Sequence, residues 1–260
     1  MGSEVKLIQS IARAFEIIEC FNSEKWFLTI KEISKKVDLN INTTRGIVNT
    51  LVYFGYLEHD EEKNVYSLGQ KFNYKTEMIK HNLSYTLVNV AKEHLTPFAN
   101  KYDVSCRIQL VTKNNVYTVE NIRNENATYV ILLHDTYRLY LHASASGKLS
   151  LLNYSNEKLE EILDGVKFEK LTKNTITSKS KLLAEVESIR ERGYSTENSE
   201  LVNGLSSIAF PIYNTNEKII ATLSVSAPTV ILENDREKMT KELAAITRKV
   251  NQELLHYSSF

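Results

Sequence analysis

Two unequal domains are predicted, a mainly helical N-terminal unit closed by a β-hairpin and a larger α+β unit built on an antiparallel sheet. Three observations carry this reading. Helical periodicity over the first 55 residues gives way to two short strand patterns around a polar turn. A long helical region follows at 73–102. Beyond it, strand patterns that neighbour one another as hairpins mix with helical ones. The 260 residues leave room for two ordinary domains.

The first helix rests on apolar residues at 7, 11, 14, 15, 18 and 21. In "LTIKEISKKVDLN", Thr29 and Glu32 form a capping box, each satisfying a backbone NH at the helix start, and Ile30, Ile33 and Val37 face inward. A third helix is expected from a cap at Asn42, with Ile47, Val48, Leu51 and Val52 on its buried side. Gly55 ends it, where a left-handed residue is favoured. Tyr56–Glu58 and Val65–Leu68 are the hairpin strands. Three helices followed by a hairpin, in that order, make a winged helix-turn-helix.

The region 73–102 carries a stripe of Leu83, Leu87, Ala91, Leu95, Phe98 and Tyr102, with a kink expected near Pro97. Strands are expected in "SCRIQLVTKNNVYTVENIR" on either side of the Asn-Asn turn, and in "ATYVILLH" and "YRLYLHAS". Helices are expected at about 146–154, 157–164 and 179–192, strands at about 194–199, 206–213 and 218–226, and a last helix at about 235–256.

Composition narrows the function classes. The chain is 42% apolar and 25% charged, ordinary for a soluble globular protein. No apolar run approaches the ~20 residues that cross a bilayer, and the first ten residues lack the pattern of a signal peptide. A cytoplasmic protein without membrane attachment is expected. Cys20 and Cys106 lie on apolar segments and imply no disulfide framework. The six histidines show no metal-ligand spacing, so neither metal nor cofactor is expected. Net charge is zero, and residues 1–75 hold ten basic and ten acidic residues. A nucleic-acid binder usually carries a basic footprint, so a DNA-binding reading rests here on motif and placement.

The third helix supplies that placement. Recognition helices bring their N-terminal residues to base edges in the major groove. Those residues are Asn42, Thr43, Thr44 and Arg45, with Asn49 a turn further on. Arg bonds guanine bidentately, Asn bonds adenine, and Thr touches a phosphate or a thymine methyl. Lys31, Lys35 and Lys36 on the preceding helix are candidate phosphate contacts or simply a solvated face. The hairpin turn is acidic at Asp60, Glu61 and Glu62, with Lys63 alone to meet a phosphate, so the wing is expected to add little affinity.

In the larger unit, "HASASGKLSLL" places Gly147-Lys148 after small residues, but a phosphate-binding loop needs glycine at His142 and Ser or Thr at Leu149. The segment is expected instead as a strand entering a helix N-terminus lined by Ala145, Ser146 and Gly147, where backbone NH groups favour a carboxylate. Ser224 and Ser226 in "TLSVS" share one strand face. Their buried hydroxyls need partners, from a bound acid or from neighbouring backbone.

Four ordered blocks resemble the IclR family of bacterial transcriptional regulators: "QSIARAFEIIECF", "LTIKEISKKVDLNINTTRGIVNTLVYFGYLEHDEEKNVYSLG", "LHASASGKLSLL" and "IRERGYSTENSELVNGLSSIAFPIYN…KIIATLSVSAP". The resemblance spans nearly the whole chain. It implies a winged-helix DNA-binding domain at 1–72, a linker helix at 73–85, and a GAF-like effector domain at 86–260 that binds a small organic or aromatic acid. It implies a regulator, and more specifically a repressor, acting as a dimer or dimer of dimers on double-stranded operator DNA. By resemblance, Ala145, Ser146 and Gly147 form one wall of the effector pocket. Glu197 lies on the loop before it, and Ser207 stands where many members carry cysteine. Glu200 and Gly204 match the family's loop architecture. The family usually carries Ser-Thr at the start of the recognition helix and an arginine four residues after the serine; here stand Asn42, Thr43 and Gly46, with the arginine one place early at Arg45. The neutral N-terminal domain, the acidic wing and this displaced arginine leave open a sensor whose winged helix contacts proteins; an enzyme on a GAF-like fold is a further reading. Against the enzyme, no nucleophile elbow, dinucleotide fingerprint or paired catalytic carboxylates can be placed.

Overall fold

The computed structural model describes residues 7–22, 25–79, 83–112, 115–124 and 140–257. The chain divides into two compact units, Met1–His81 and Asn82–Phe260.

In the first unit α1 (Gln9–Ile18), α2 (Ile30–Lys36) and α3 (Ile41–Tyr53) precede a hairpin of β1 (Leu57–Asp60) and β2 (Val65–Leu68), and α4 (Lys71–Ile79) follows. The winged helix-turn-helix is borne out. Ile17, Phe21, Leu28, Ile33, Val48, Leu51 and Leu57 make its core. The predicted capping box is present: Thr29 N–H donates to Glu32 at 2.9 Å and Glu32 N–H to Thr29 Oγ1 at 3.3 Å. Two expectations are corrected. The cap of α3 is Asn40, whose Oδ1 accepts from Thr43 N–H at 2.8 Å, so Asn42 lies inside the helix. The first helix packs through Ile17 with Ala14 and Ile18 beside it, whereas Leu7, Ile11 and Phe15 are exposed. The apolar residues of that stripe therefore spread over two faces, and this unit's core takes only one. Gly55 ends α3 at φ +76°, as its position predicts.

The second unit begins with α5 (Leu83–Tyr102), which contains Pro97. A five-stranded antiparallel sheet follows in the order β4-β3-β7-β6-β5. Its strands are β3 (Ser105–Val111), β4 (Val116–Ile122), β5 (Ser195–Asn198), β6 (Leu205–Tyr213) and β7 (Ile219–Pro228). Between β4 and β5 come α6 (Ala145–Ser150) with a 3-10 turn at Leu151–Asn153, α7 (Asn156–Ile162) and α8 (Lys179–Arg192). After β7, α9 (Thr229–Asn234) precedes α10 (Arg236–Leu254). The expected α+β class with an antiparallel sheet holds. "ATYVILLH" lies outside the described residues. The described part of "YRLYLHAS", residues 140–144, is turn rather than strand, and Ser144 caps α6 by accepting from Gly147 N–H at 3.1 Å.

The two faces of this sheet differ in chemistry while both are buried. Cys106, Ile108, Leu223, Val225, Ile208 and Phe210 join Leu95, Phe98, Leu243 and Val250 of α5 and α10 in an apolar core. On the other face stand Arg107, Gln109, Thr222, Ser224, Ser226, Ser207 and Glu197, brought into line by the register Arg107↔Ser224, Ser207↔Ser226 and Glu197↔Ser207. Strand alternation alone creates this split, since residues two apart share a face. Helix α6 covers the polar face, with Ala145 and Leu149 packed on Ala209 and Ile189. Among the described residues, no helix is long and apolar enough to cross a membrane.

Candidate DNA and effector sites

The outer face of α3 carries the DNA-reading candidates. Asn42, Arg45 and Asn49 are exposed and fall at i, i+3 and i+7, which puts them on one helix face, and Thr43 is exposed beside them. Thr44 is corrected: it is fully buried, and its hydroxyl donates to Asn40 O at 3.0 Å, so it cannot reach a base. Moving the cap from Asn42 back to Asn40 explains this, because it fixes which side of the first turn faces the core. Gly46 interrupts nothing. A Cβ built there meets no atom within 4 Å, and its carbonyl accepts from Thr50 Oγ1 at 2.9 Å. Lys31, Lys35 and Lys36 are exposed on α2. In the hairpin turn, Asp60 accepts from Lys63 N–H at 3.0 Å and holds its ammonium at 3.2 Å, so the one cation of the wing is already neutralised. Those contacts hold the Asp60 carboxyl below the usual carboxylate range.

The polar sheet face of the second unit is bonded into two clusters. In one, Gln109 Oε1 accepts from Ser146 Oγ of α6 and from Ser224 Oγ at 3.0 Å, and Thr222 Oγ1 donates to Ser146 Oγ at 2.9 Å. In the other, Arg107 Nη1 donates to Ser226 Oγ at 2.9 Å, the hydroxyls of Ser226 and Ser207 are bonded at 2.9 Å, and Ser207 stands opposite Glu197 in the register of β6 and β5. Ser224 and Ser226, for which a bound acid or neighbouring backbone is the expected partner, bond to side chains. Glu197 lies within β5 rather than on a loop. Its Oε1 accepts from Glu200 N–H at 2.6 Å and Leu201 N–H at 3.0 Å. Burial nevertheless pushes its carboxyl up to about 7, outweighing those two bonds.

Beside Glu197 lies an ion pair that sequence reasoning did not place. Lys148 on α6 is 1% exposed, and its Nζ donates to Glu200 at 2.8 and 3.0 Å, with Glu185 at 3.8 Å. Glu200 is thereby more than loop architecture. The loop that carries it is held by Thr172 and Thr175, whose hydroxyls donate to Ser199 O and Glu200 O at 2.7 Å each.

The structure brings Ser146, Ser207, Ser224, Ser226 and Glu197 to one face, where the other two predicted wall residues have packing roles. Ala145 packs in an apolar cluster. Gly147 is demanded by packing: a Cβ there would lie 2.7 Å from Leu141 Cα and 2.5 Å from Ser144 Oγ. Its N–H is also spent on the Ser144 cap, which weakens the expected carboxylate site at this helix start. Arg107 and Gln109 are the missed members of the face. Their signal was the alternation in "SCRIQLV", where Ser105, Arg107 and Gln109 interleave with Cys106, Ile108 and Leu110. Both cysteines are buried and free, and no cluster of metal-ligating side chains occurs among the described residues.

Comparison with known proteins places the two units of this chain in one family. Residues 10–61 match the IclR helix-turn-helix domain, and residues 81–252 match the C-terminal domain of the bacterial transcriptional regulator IclR. The transcriptional regulator XynR of Escherichia coli K12 is 27% identical over 247 residues, covering 93% of this chain and 97% of that one. The regulator KdgR of the same organism is 24% identical over 250 residues, covering 95% and 93%. Among solved structures, an IclR homologue from Microbacterium hydrocarbonoxydans complexed with 4-hydroxybenzoate superposes with a TM-score of 0.80 at 22% identity, covering 95% of this chain and all of that one. An IclR regulator from Alicyclobacillus acidocaldarius gives 0.79 at 20%, covering 95% and 99%. The chain belongs to the IclR family of bacterial transcriptional regulators.

Proposed function

We propose that this protein is a cytoplasmic repressor that binds operator DNA through α3 and releases it when a small organic acid occupies the polar sheet face. Asn42, Thr43, Arg45 and Asn49 read base edges, and Lys31, Lys35 and Lys36 contact phosphates. Ser146, Ser207, Ser224, Ser226 and Glu197 line the effector site. Residues 1–72 act as the DNA-binding domain, 73–85 as a linker and 86–260 as the effector domain. The protein acts as a dimer or dimer of dimers, which presents two reading helices to a two-fold operator.

The observation that carries the effector reading is the buried polar face itself. Packing α6 onto the sheet would be served by apolar residues, as on the opposite face, yet this one holds hydroxyls, an amide, a guanidinium and a carboxyl. Burying such groups is costly unless each is bonded. A polar ligand gives the arrangement a purpose. The relative complexed with 4-hydroxybenzoate shares this fold and supports the choice of an acid.

Footprinting on the DNA upstream of the protein's own gene tests the regulator reading. Protection that falls steeply between low and moderate salt, and is lost in Arg45→Ala, is expected. A neutral chain whose wing cation is internally paired favours one rival, a winged helix that docks on protein. No protection at any salt would count against the regulator reading and favour that rival.

A further inference from the structure

Arg107 lies in the middle of β3, opposite Asn121 of β4 and Ser224 of β7. It is 7% exposed, and its neighbours at i−2 and i+2 on the same face are Ser105 and Gln109. It is joined to Ser226 and Ser207, and Ser207 is the strand partner of Glu197, so a guanidinium and a carboxyl bracket a row of hydroxyls that crosses four strands. Ser195, two residues before Glu197 on β5, adds an independent observation. Its side chain is fully buried, and its Oγ is without a hydrogen-bond partner among the described residues. A buried hydroxyl left this way is rare and marks a place where a ligand oxygen would be welcome.

We propose that Arg107 binds the carboxylate of the effector, making the site selective for acids over their neutral analogues. This rests on the effector reading above and assigns its charged anchor. Arginine suits the task because its planar fork of N–H donors matches the two oxygens of a carboxylate, and the bond is charge-assisted. The start of α6 suits it less, since that helix has six residues and the Gly147 N–H is engaged by Ser144. At the far end of the row, Glu197 is held largely protonated below neutral pH by burial. It therefore offers a donor there rather than a second negative charge. The ligand this selects has one carboxylate at Arg107 and a hydroxyl or keto oxygen reaching toward Ser207 and Glu197.

The test is calorimetric titration of the full chain with 4-hydroxybenzoate and pyruvate, each beside its amide. At least one acid is expected to bind, with its amide at least tenfold weaker. Arg107→Gln should cost the acid about ten- to a hundredfold and leave the amide unchanged. Arg107→Lys, which keeps the charge and loses the fork, should recover part of that loss. An amide that binds as tightly as its acid would overturn the assignment, as would unaltered acid binding by Arg107→Gln with a native melting profile. If Arg107→Gln does not fold, the acid–amide comparison on the unaltered protein decides. Binding of neither acids nor amides, with operator DNA still protected, would sink the effector reading and this inference together. An amide that binds equally well sinks the inference alone.

Discussion

Helix α3 and the polar face of the sheet, the proposed DNA and effector sites, display polar side chains in opposite ways. On α3, Asn42, Arg45 and Asn49 project into solvent, and the helix stands without them. On the sheet, Arg107, Gln109, Ser224, Ser226 and Glu197 are buried; the first four are tied to another strand or to α6, and Glu197 to the loop that follows β5. The difference teaches where function and stability separate. An exposed polar group can be exchanged at little thermodynamic cost, so operator choice is free to vary. A buried polar group takes part in folding and binding at once, so ligand preference changes only with compensation nearby.

The strongest way to sharpen that contrast is Lys148→Ala. It leaves Glu200 buried without its cation and is expected to cost about 3–5 kcal/mol, read as a fall in the urea midpoint. Lys148→Met with Glu200→Gln together should recover much of the loss. If the single variant were as stable as the parent, the buried pair would have no structural weight.

Glu197 yields a pH prediction. Its folded-state value is raised from 4.5 to about 7, so between those values the native state keeps a proton that the unfolded state gives up. The stabilisation is fully present below 4.5 and is lost as pH rises through about 7. The slope is at most about 1.4 kcal/mol per pH unit. Glu197→Gln keeps an acceptor for the Glu200 and Leu201 N–H groups and should flatten the curve. Melting temperatures at pH 5, 6, 7 and 8 for both proteins check this.

At the DNA end, Asn40→Ala removes the cap of α3 and should cost about 1 kcal/mol. Asn42→Ala should leave stability within about 0.5 kcal/mol while weakening operator binding. Equal stability losses from the two would restore Asn42 as the cap. At Gly46 a gain in stability is expected instead of a loss. Gly46→Arg enters open space and removes a helix-weakening glycine, a gain of roughly 0.5–1 kcal/mol. It should also shift the preferred operator sequence, as a binding selection would show. An unchanged preference would mean the Gly46 notch plays no part in readout.

Much of the first unit was legible because its signals are local. A capping box spans four residues, a helix stop needs one glycine, and a hairpin needs two strand patterns and a turn. Where local signals compete the reading slipped, as between Asn40 and Asn42, both able to cap. Asn40 wins because a helix starting at Ile41 puts Thr44, Val48 and Leu51 on the core side. The effector site was half legible. Ser224 and Ser226 announce a shared face by alternation, and so did Arg107 and Gln109. Alternation, however, ordinarily means one face in water. Nothing in the periodicity says that α6 buries the polar face, or that Lys148 reaches Glu200 across 52 positions.

The sequence by itself determined the order of elements, the two-domain plan and the residues that share each face, because propensity, capping and pleat act over a few residues. Only the tertiary structure decided which polar face is covered, that Glu197 and Lys148 are ionisable groups taken out of water, and that Gly147 serves close packing against Leu141. Those outcomes depend on contacts between segments far apart in the chain, whose desolvation no local pattern encodes.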